Sequence, residues 1–173
     1  MLLQYFSRFG NVYHCHSRKP PPKLTKVQDE HFTDEEVSPE ELAYTRIIYL
    51  FRDPRKAMAS VGRRFPWEGH LKNIEVDPTF TADDVGDTDP FRLAEFHANY
   101  TMPSKRNYNI LCVKYEALWC NWSTLNAACC LPDVPAYYQP RVETSVDSLD
   151  KPAWTKLAME MEQMPAFFFA PFA

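Results

Sequence analysis

Glycine is scarce in this sequence, with 4 among 173 residues, whereas proline occurs 15 times. Phosphate-binding loops of the Walker type need closely spaced glycines, and no Gly-x-x-x-x-Gly-Lys run is present. The sequence therefore disfavours a nucleotide or nucleoside kinase of the P-loop class. It also lacks any apolar run near the roughly 18–20 residues that a membrane-spanning helix requires. Its first ten residues become polar too early for a signal peptide.

An excess of basic charge is also missing. The net charge of −4 argues against a broad nucleic-acid-binding surface. None of the five cysteines forms a Cys-x-x-Cys pair, and the adjacent Cys129 and Cys130 cannot join each other without strain. We therefore expect buried or inert thiols. The length and a hydrophobic content of 45% suit a single globular domain spanning residues 1–173.

Three short apolar segments are predicted to be β-strands, at residues 12–16, 47–51 and 109–114. The second is apolar at every position, which is typical of a parallel-sheet strand covered on both faces. Helices are expected around these strands, at residues 1–10, 38–45, 54–64, 90–100, 117–130 and 148–164. This alternation predicts an α/β fold with a three-layer parallel sheet flanked by helices.

Other segments are expected to lie outside the sheet. The acidic run 28–41 is predicted to be a solvated loop that leads into a helix capped by Ser38. Residues 77–89 are predicted to be a loop or insertion. The tail 165–173 is rich in Phe and Pro, and it has two interpretations: it packs on the core, or it forms a docking surface.

Polar and basic side chains follow each predicted strand. His14 and His16 end the first, Arg52 follows the second, and Tyr115 follows the third. Parallel strands present their carboxyl ends at one edge, where ligands bind. Arg52 precedes Asp53, a predicted helix cap, so its guanidinium would lie beside the positive end of a helix and could hold a phosphate. Alternatively, Arg52 is a strand-end arginine paired with an acid.

The segment 47–60, IIYLFRDPRKAMAS, resembles the 3′-phosphate-binding segment of the sulfotransferases, which use 3′-phosphoadenosine 5′-phosphosulfate (PAPS). In that family a strand ends in Arg-Asp-Pro-Arg, and a serine follows eight residues after the first arginine. The resemblance implies that Arg52 and Ser60 hold the 3′-phosphate. Residues 110–118 are similar to a later family strand that ends in Tyr-Glu-Asp-Leu, with Ala117 in place of the aspartate, which implies that Tyr115 lies near the nucleotide.

Residues 12–16 are more distantly similar to the strand that carries the catalytic histidine of the cytosolic sulfotransferases. This similarity implies that His16 is the general base, although a non-catalytic His16 is the alternative. In all, the resemblance covers residues 11–118 and implies a sulfotransferase-like P-loop fold. The reaction would be sulfuryl transfer from PAPS to a hydroxyl or amine of a small-molecule or carbohydrate acceptor, with no metal.

The sequence departs from the family in one important part. The family's first strand ends in a loop that cradles the 5′-phosphosulfate, and only ten residues precede the predicted strand at 12–16. We therefore expect an N-terminally truncated fold with weak or no catalysis. The alternative function is a non-catalytic binding module on a degenerate sulfotransferase fold. The compartment stays open between the cytoplasm and, if an anchor precedes Met1, the Golgi lumen.

Overall fold

The fold is described from a computed structural model, which describes residues 2–62, 89–132 and 152–171 together with Lys72 and Ile74. The described helices are α1 Leu2–Phe6, α2 Pro39–Tyr44, α3 Pro54–Gly62, α4 Leu93–Thr101, α5 Trp122–Ala128 and α6 Pro152–Gln163, and a 3₁₀ helix at Tyr115–Cys120. The described strands are β1 Thr25–Gln28, β2 His31–Glu36, β3 Ile47–Phe51, β4 Ile110–Lys114 and β5 Phe167–Phe169. The protein is therefore of mixed α/β type.

The larger sheet has three strands in the order β3-β4-β5. Strands β3 and β4 are parallel, in a register that pairs Ile47 with Ile110 and Phe51 with Lys114. The prediction that these two segments are neighbouring parallel strands is confirmed. The prediction of an all-parallel sheet is wrong, because β5 pairs antiparallel with β4. This strand comes from the Phe-rich tail, for which the sequence predicted either packing on the core or a docking surface and no strand.

Helices cover both faces of the central strand β4. Ile110 and Cys112 pack on one face, and Leu111 and Val113 pack on the other. Helices α4 and α6 cover the first face through Tyr100, Leu157 and Met161. Helix α1, the 3₁₀ helix and α5 cover the second face through Tyr5, Leu118 and Leu125. Full burial of such a side chain contributes about 1.5–3 kcal/mol, so β4 anchors the core.

Strand β3 is less covered than its sequence suggests. Three of its five side chains are only partly buried, Leu50 is exposed at 39%, and Phe51 alone is buried. Its apolar run therefore predicted the strand correctly but overstated its burial. The reason is that β3 lies at the edge of the described sheet, whereas β4 lies between two strands and is therefore the more buried.

The predicted strand at residues 12–16 is wrong. That segment is irregular, and it precedes a separate antiparallel hairpin of β1 and β2. Its contacts with the hairpin are isolated bonds: the His16 amide donates to the Glu30 carbonyl at 2.7 Å, and the Phe32 amide donates to Ser17 Oγ at 2.9 Å. The predicted acidic loop at 28–41 is also partly wrong, because β2 lies within it. Its acidic side chains point to solvent, which hides the strand from a charge-based reading.

Several helix predictions are confirmed with changed limits. Ser38 caps α2 in a reciprocal arrangement with Glu41, as the sequence predicts. The N-terminal helix ends at Phe6, and the predicted helix at 117–130 is divided into the 3₁₀ helix and α5. The helix at Pro54 is confirmed to Gly62; residues 63–64, 77–88 and 148–151, which belong to three predicted elements, lie outside the described residues.

The described residues contain no helix that is both long and apolar enough to cross a membrane. This agrees with the absence of a long apolar run in the sequence.

Candidate functional site

The strand register brings Arg52 and Tyr115 together. Phe51 is paired with Lys114, so the next residue of each chain segment leaves the sheet at the same edge. The Arg52 Cζ atom lies 5.1 Å from the centre of the Tyr115 ring, and Arg52 Nε lies 3.4 Å from Glu116 Oε1. The sequence prediction that these strand ends converge is confirmed for β3 and β4. We call Arg52, Tyr115 and Glu116 the edge cluster.

The edge cluster supports both interpretations of Arg52. Its side chain is 22% exposed, so part of it is open to a ligand, whereas its Nε atom is buried. Its acidic neighbour, Glu116, is 37% exposed, and a contact of this kind in partial solvent contributes about 0–1 kcal/mol. Such a weak ion pair can be replaced by a phosphate, which accepts stronger charge-assisted hydrogen bonds.

Helix α3 begins directly beside the edge cluster. Asp53 accepts the Arg55 amide at 2.9 Å and thus caps the helix, as predicted, with Pro54 at its first position. Arg55 also grips the Asp53 carboxylate through its guanidinium, at 3.0 Å from Nε to Oδ1 and 2.7 Å from Nη2 to Oδ2. Burial acts to raise the pKa of Asp53, but the hydrogen bonds from Arg55 outweigh it and hold the pKa below its usual value. Arg55 thus balances the charge of the acid that follows Arg52 in the sequence.

Ser60 lies on the same helix, half-buried, eight residues after Arg52. It is six residues beyond Pro54, which is about 9 Å along the helix axis. A phosphate that contacts both Arg52 and Ser60 would therefore lie alongside the first turns of α3 rather than at its tip. The structure confirms the helix that carries Ser60; the role of Ser60 stays a prediction.

Lys114 does not contribute to the edge cluster. Its ammonium donates to the carbonyls of Glu162 and Met164, both at 3.1 Å, so it caps the end of α6.

An apolar cavity of about 180 Å³ lies behind the edge, lined by Arg52 and by side chains of β3, α3, α4 and α6. This is below the roughly 300–1,000 Å³ of small-molecule pockets, so a ligand of Arg52 would lie along the edge.

A buried histidine lies behind the same edge. His97 on α4 is 7% exposed, and its ring centre is 5.3 Å from that of Phe51. Tyr49 is a neutral phenol, because burial raises its pKa far above the usual value, and its hydroxyl lies 3.2 Å from His97 Nδ1. The other ring nitrogen, His97 Nε2, lies 3.1 Å from Met164 Sδ. Burial lowers the pKa of His97 to about 4, so His97 is neutral near pH 7.

The predicted general base, His16, lies beside the hairpin. Its Nε2 atom is 3.4 Å from Glu30 Oε2, and His14 Nδ1 is 3.4 Å from Glu30 Oε1. Sequence reasoning singled out both histidines but missed Glu30, which it placed in a solvated acidic run. The two histidines at alternate positions were a visible signal, whereas their carboxylate partner depends on a hairpin that the sequence reading did not find.

The cysteines behave as expected where they are buried. All five are free thiols. Burial raises the pKa of Cys112 to about 12 and that of Cys129 to about 11, so these two stay protonated and inert near neutral pH. Cys120 and Cys130 are exposed.

No family model, curated protein or solved structure matches this chain.

Proposed function

We propose that this chain is a sulfotransferase-like protein that binds the nucleotide of PAPS through its 3′-phosphate at the edge cluster. Arg52 is the principal contact, Ser60 is a second, weaker one, and Tyr115 orients the guanidinium. The observation that carries the proposal is the contact between Arg52 and Tyr115, which joins the two segments whose sequences resemble the family. Sulfuryl transfer to a hydroxyl or amine of a small-molecule or carbohydrate acceptor is the reaction that the same resemblance implies.

The donor set at the edge is chemically suited to a phosphate. A guanidinium offers two parallel N–H groups to phosphate oxygens, and a phosphate alongside the first turns of α3 lies in the half of that helix where the dipole favours negative charge. Asp53 does not oppose this, because Arg55 balances its charge within 2.7–3.2 Å. Glu116 does oppose it, and its carboxylate would have to move away from Arg52 when the nucleotide binds.

In the catalytic version of this proposal, His16 accepts the proton of the acceptor hydroxyl or amine. Remote binding of the 3′-phosphate at Arg52 would position the sulfuryl group for that step. The sulfotransferase-like P-loop fold that the resemblance implies would place the base at the same sheet edge as the nucleotide.

A second candidate function is a binding module without catalysis. The position of His16 favours it, because residues 11–16 are not a strand of the three-stranded sheet and His16 lies against Glu30 of the hairpin. The aromatic tail gives no support to a docking role: Phe167 and Phe168 pack against the core on opposite faces of the sheet. Nucleotide binding without transfer would be the retained activity.

The decisive experiment compares two nucleotides that differ only in the 3′-phosphate. Adenosine 3′,5′-bisphosphate (PAP) and adenosine 5′-monophosphate are titrated into the protein by calorimetry. Charge-assisted hydrogen bonds contribute about 1.5–3 kcal/mol, so we expect PAP to bind roughly ten- to a hundredfold more tightly. Equal affinities, or no binding of either nucleotide, would refute the proposal. Addition of PAPS and a panel of hydroxyl and amine acceptors then separates the catalytic version from the binding module.

A further inference from the structure

A second cluster is formed by His14, His16 and Glu30. It shares no residue with the edge cluster, and its side chains are potential metal ligands. One ligand-type atom of each of these three residues lies within 4.8 Å of the other two. The two imidazoles approach each other edge to face, with ring centres 4.3 Å apart. They face one carboxylate, each with a nitrogen 3.4 Å from one of its oxygens.

These separations are long for hydrogen bonds and fall in the range of ligand atoms that share a metal ion. An N–H···O bond is usually 2.7–3.2 Å long, which is shorter than either contact. In a tetrahedral zinc site with bonds of about 2.0–2.1 Å, neighbouring ligand atoms are about 3.4 Å apart. Each nitrogen lies at that separation from one carboxylate oxygen, His14 Nδ1 from Oε1 and His16 Nε2 from Oε2, and one donor atom of each of the three residues lies within 4.8 Å of the others.

The backbone around Glu30 is also informative. Asp29 and Glu30 form the two-residue turn between β1 and β2, with φ of 48° and 67°. Both central residues of such a turn favour glycine or asparagine, and a glutamate in this conformation is strained. The backbone of Glu30 is tied to that of His16, because the Glu30 carbonyl accepts a hydrogen bond from the His16 amide at 2.7 Å. The turn therefore holds the Glu30 carboxylate beside the two imidazoles at a conformational cost.

We propose that His14, His16 and Glu30 bind a divalent transition-metal ion of the Zn²⁺ type. Two imidazoles and one carboxylate are a donor set suited to Zn²⁺ and its neighbours rather than to Mg²⁺ or Ca²⁺, which prefer oxygen ligands. Three protein ligands leave a fourth position for water or another ligand. The side chains of His14 and Glu30 are 50% and 49% exposed, which gives the ion a direct path of entry, whereas His16 is 19% exposed and forms the floor of the site.

Metal binding here goes beyond the proposed nucleotide site and does not depend on it. The bound ion would occupy the lone pair of His16 Nε2, and His16 would then be a ligand instead of a general base. It would also tie residues 14–16 to the hairpin turn, so the ion is expected to stabilise the fold by ordinary ligand linkage.

The test measures Zn²⁺ binding to the tag-free chain by calorimetry, with Co²⁺ absorption as a spectroscopic report and Mg²⁺ as the hard-cation comparison. We expect one Zn²⁺ per chain and a higher melting temperature with Zn²⁺ than without it. His14→Ala, His16→Gln and Glu30→Gly should each weaken binding about tenfold or more, since even outer-shell changes cost that much. Glu30→Gly is the informative variant, because glycine suits a φ of 67° and the variant should fold at least as well.

The matched controls are Asp29→Gly and His31→Gln. The first removes a carboxylate from the same turn, and the second removes a histidine from the same hairpin. Both should bind Zn²⁺ as the unmodified chain does, and PAP affinity should be unchanged in Glu30→Gly. Absence of saturable Zn²⁺ binding, equal binding by Glu30→Gly, or an equal loss in Asp29→Gly or His31→Gln would overturn the proposal. PAP affinity is measured separately on the same proteins. Failure of the metal site is therefore distinguished from failure of the nucleotide site.

Discussion

The guanidinium of Arg52 lies over the ring of Tyr115 in a cation–π contact, with Cζ 5.1 Å from the ring centre. A contact of this type contributes about 0.5–1 kcal/mol at an exposed site and more when it is desolvated. A lysine at this position would keep the positive charge but would lack the planar fork of the guanidinium. The relationship arises from the parallel register of β3 and β4, so one sheet interaction sets the geometry of the whole edge cluster.

Arg52→Ala should weaken PAP binding about ten- to a hundredfold, because it removes a charge-assisted contact. Arg52→Lys should recover only part of this loss, and Ser60→Ala should lose less, since a neutral hydroxyl contributes about half as much. Calorimetric titration, corrected for the folded fraction measured in parallel, checks these values. If Arg52→Ala lowers stability and leaves the dissociation constant unaltered, Arg52 is a structural ion-pair residue.

Glu116→Gln should tighten PAP binding several-fold. The carboxylate lies 3.4 Å from Arg52 Nε, so it competes with a phosphate for the same cation, and glutamine removes the charge with little change of shape. Glu40→Gln is the matched control, because it removes the same charge from the exposed helix α2. Equal tightening in both variants would indicate a general charge effect, and weaker binding in Glu116→Gln would contradict competition.

Stability should fall as the pH is lowered from 6.5 to about 4, through His97. Its folded-state pKa of about 4 lies below the ordinary value of 6.5, so in this window the unfolded chain binds a proton that the folded chain does not. The lost stability is roughly 3 kcal/mol. Because carboxylates titrate in the same range, the readout is the difference between the protein and His97→Gln in urea unfolding at pH 7 and pH 4.5. An identical pH dependence of both proteins would disprove the assignment.

Tyr5→Phe should destabilise the fold by about 1–3 kcal/mol. The Tyr5 hydroxyl donates to Asn126 Oδ1 at 2.8 Å, and both side chains are almost fully buried, so the variant leaves a buried acceptor without this donor. Tyr13→Phe, at a site 64% exposed, removes the same hydroxyl where water can replace it. Urea unfolding should separate the two variants, and an equal small effect in both would show that the hydrogen bond contributes little.

The sequence was most informative where local chemistry decides the structure. Ser38 with Glu41, and Asp53 before Pro54, predicted the starts of α2 and α3, because helix caps depend on a few adjacent residues. The apolar runs at 47–51 and 109–114 predicted two strands and the edge that joins Arg52 to Tyr115. These are properties of short segments, and tertiary context did not change them.

The sequence was least informative where distant segments meet. Strand β5 consists of three phenylalanines, which indicate burial but not pairing. The hairpin turn uses Asp29 and Glu30 at positive φ without the glycine or asparagine that normally signals such a turn. Glu30 was therefore missed as the partner of His14 and His16. Without the hairpin, residues 12–16 were assigned to the main sheet.

The position of β5 in the chain has a consequence for synthesis. Leu111 and Val113 of β4 pair with Phe169 and Phe167, which leave the ribosome long after β4 itself. Until then the central strand has β3 as its partner and an open edge of backbone amides and carbonyls, which is a template for association with other chains. During synthesis β4, the most buried strand of the described sheet, therefore has an unpaired edge that can associate with other chains. Pairing with β5 then covers this edge.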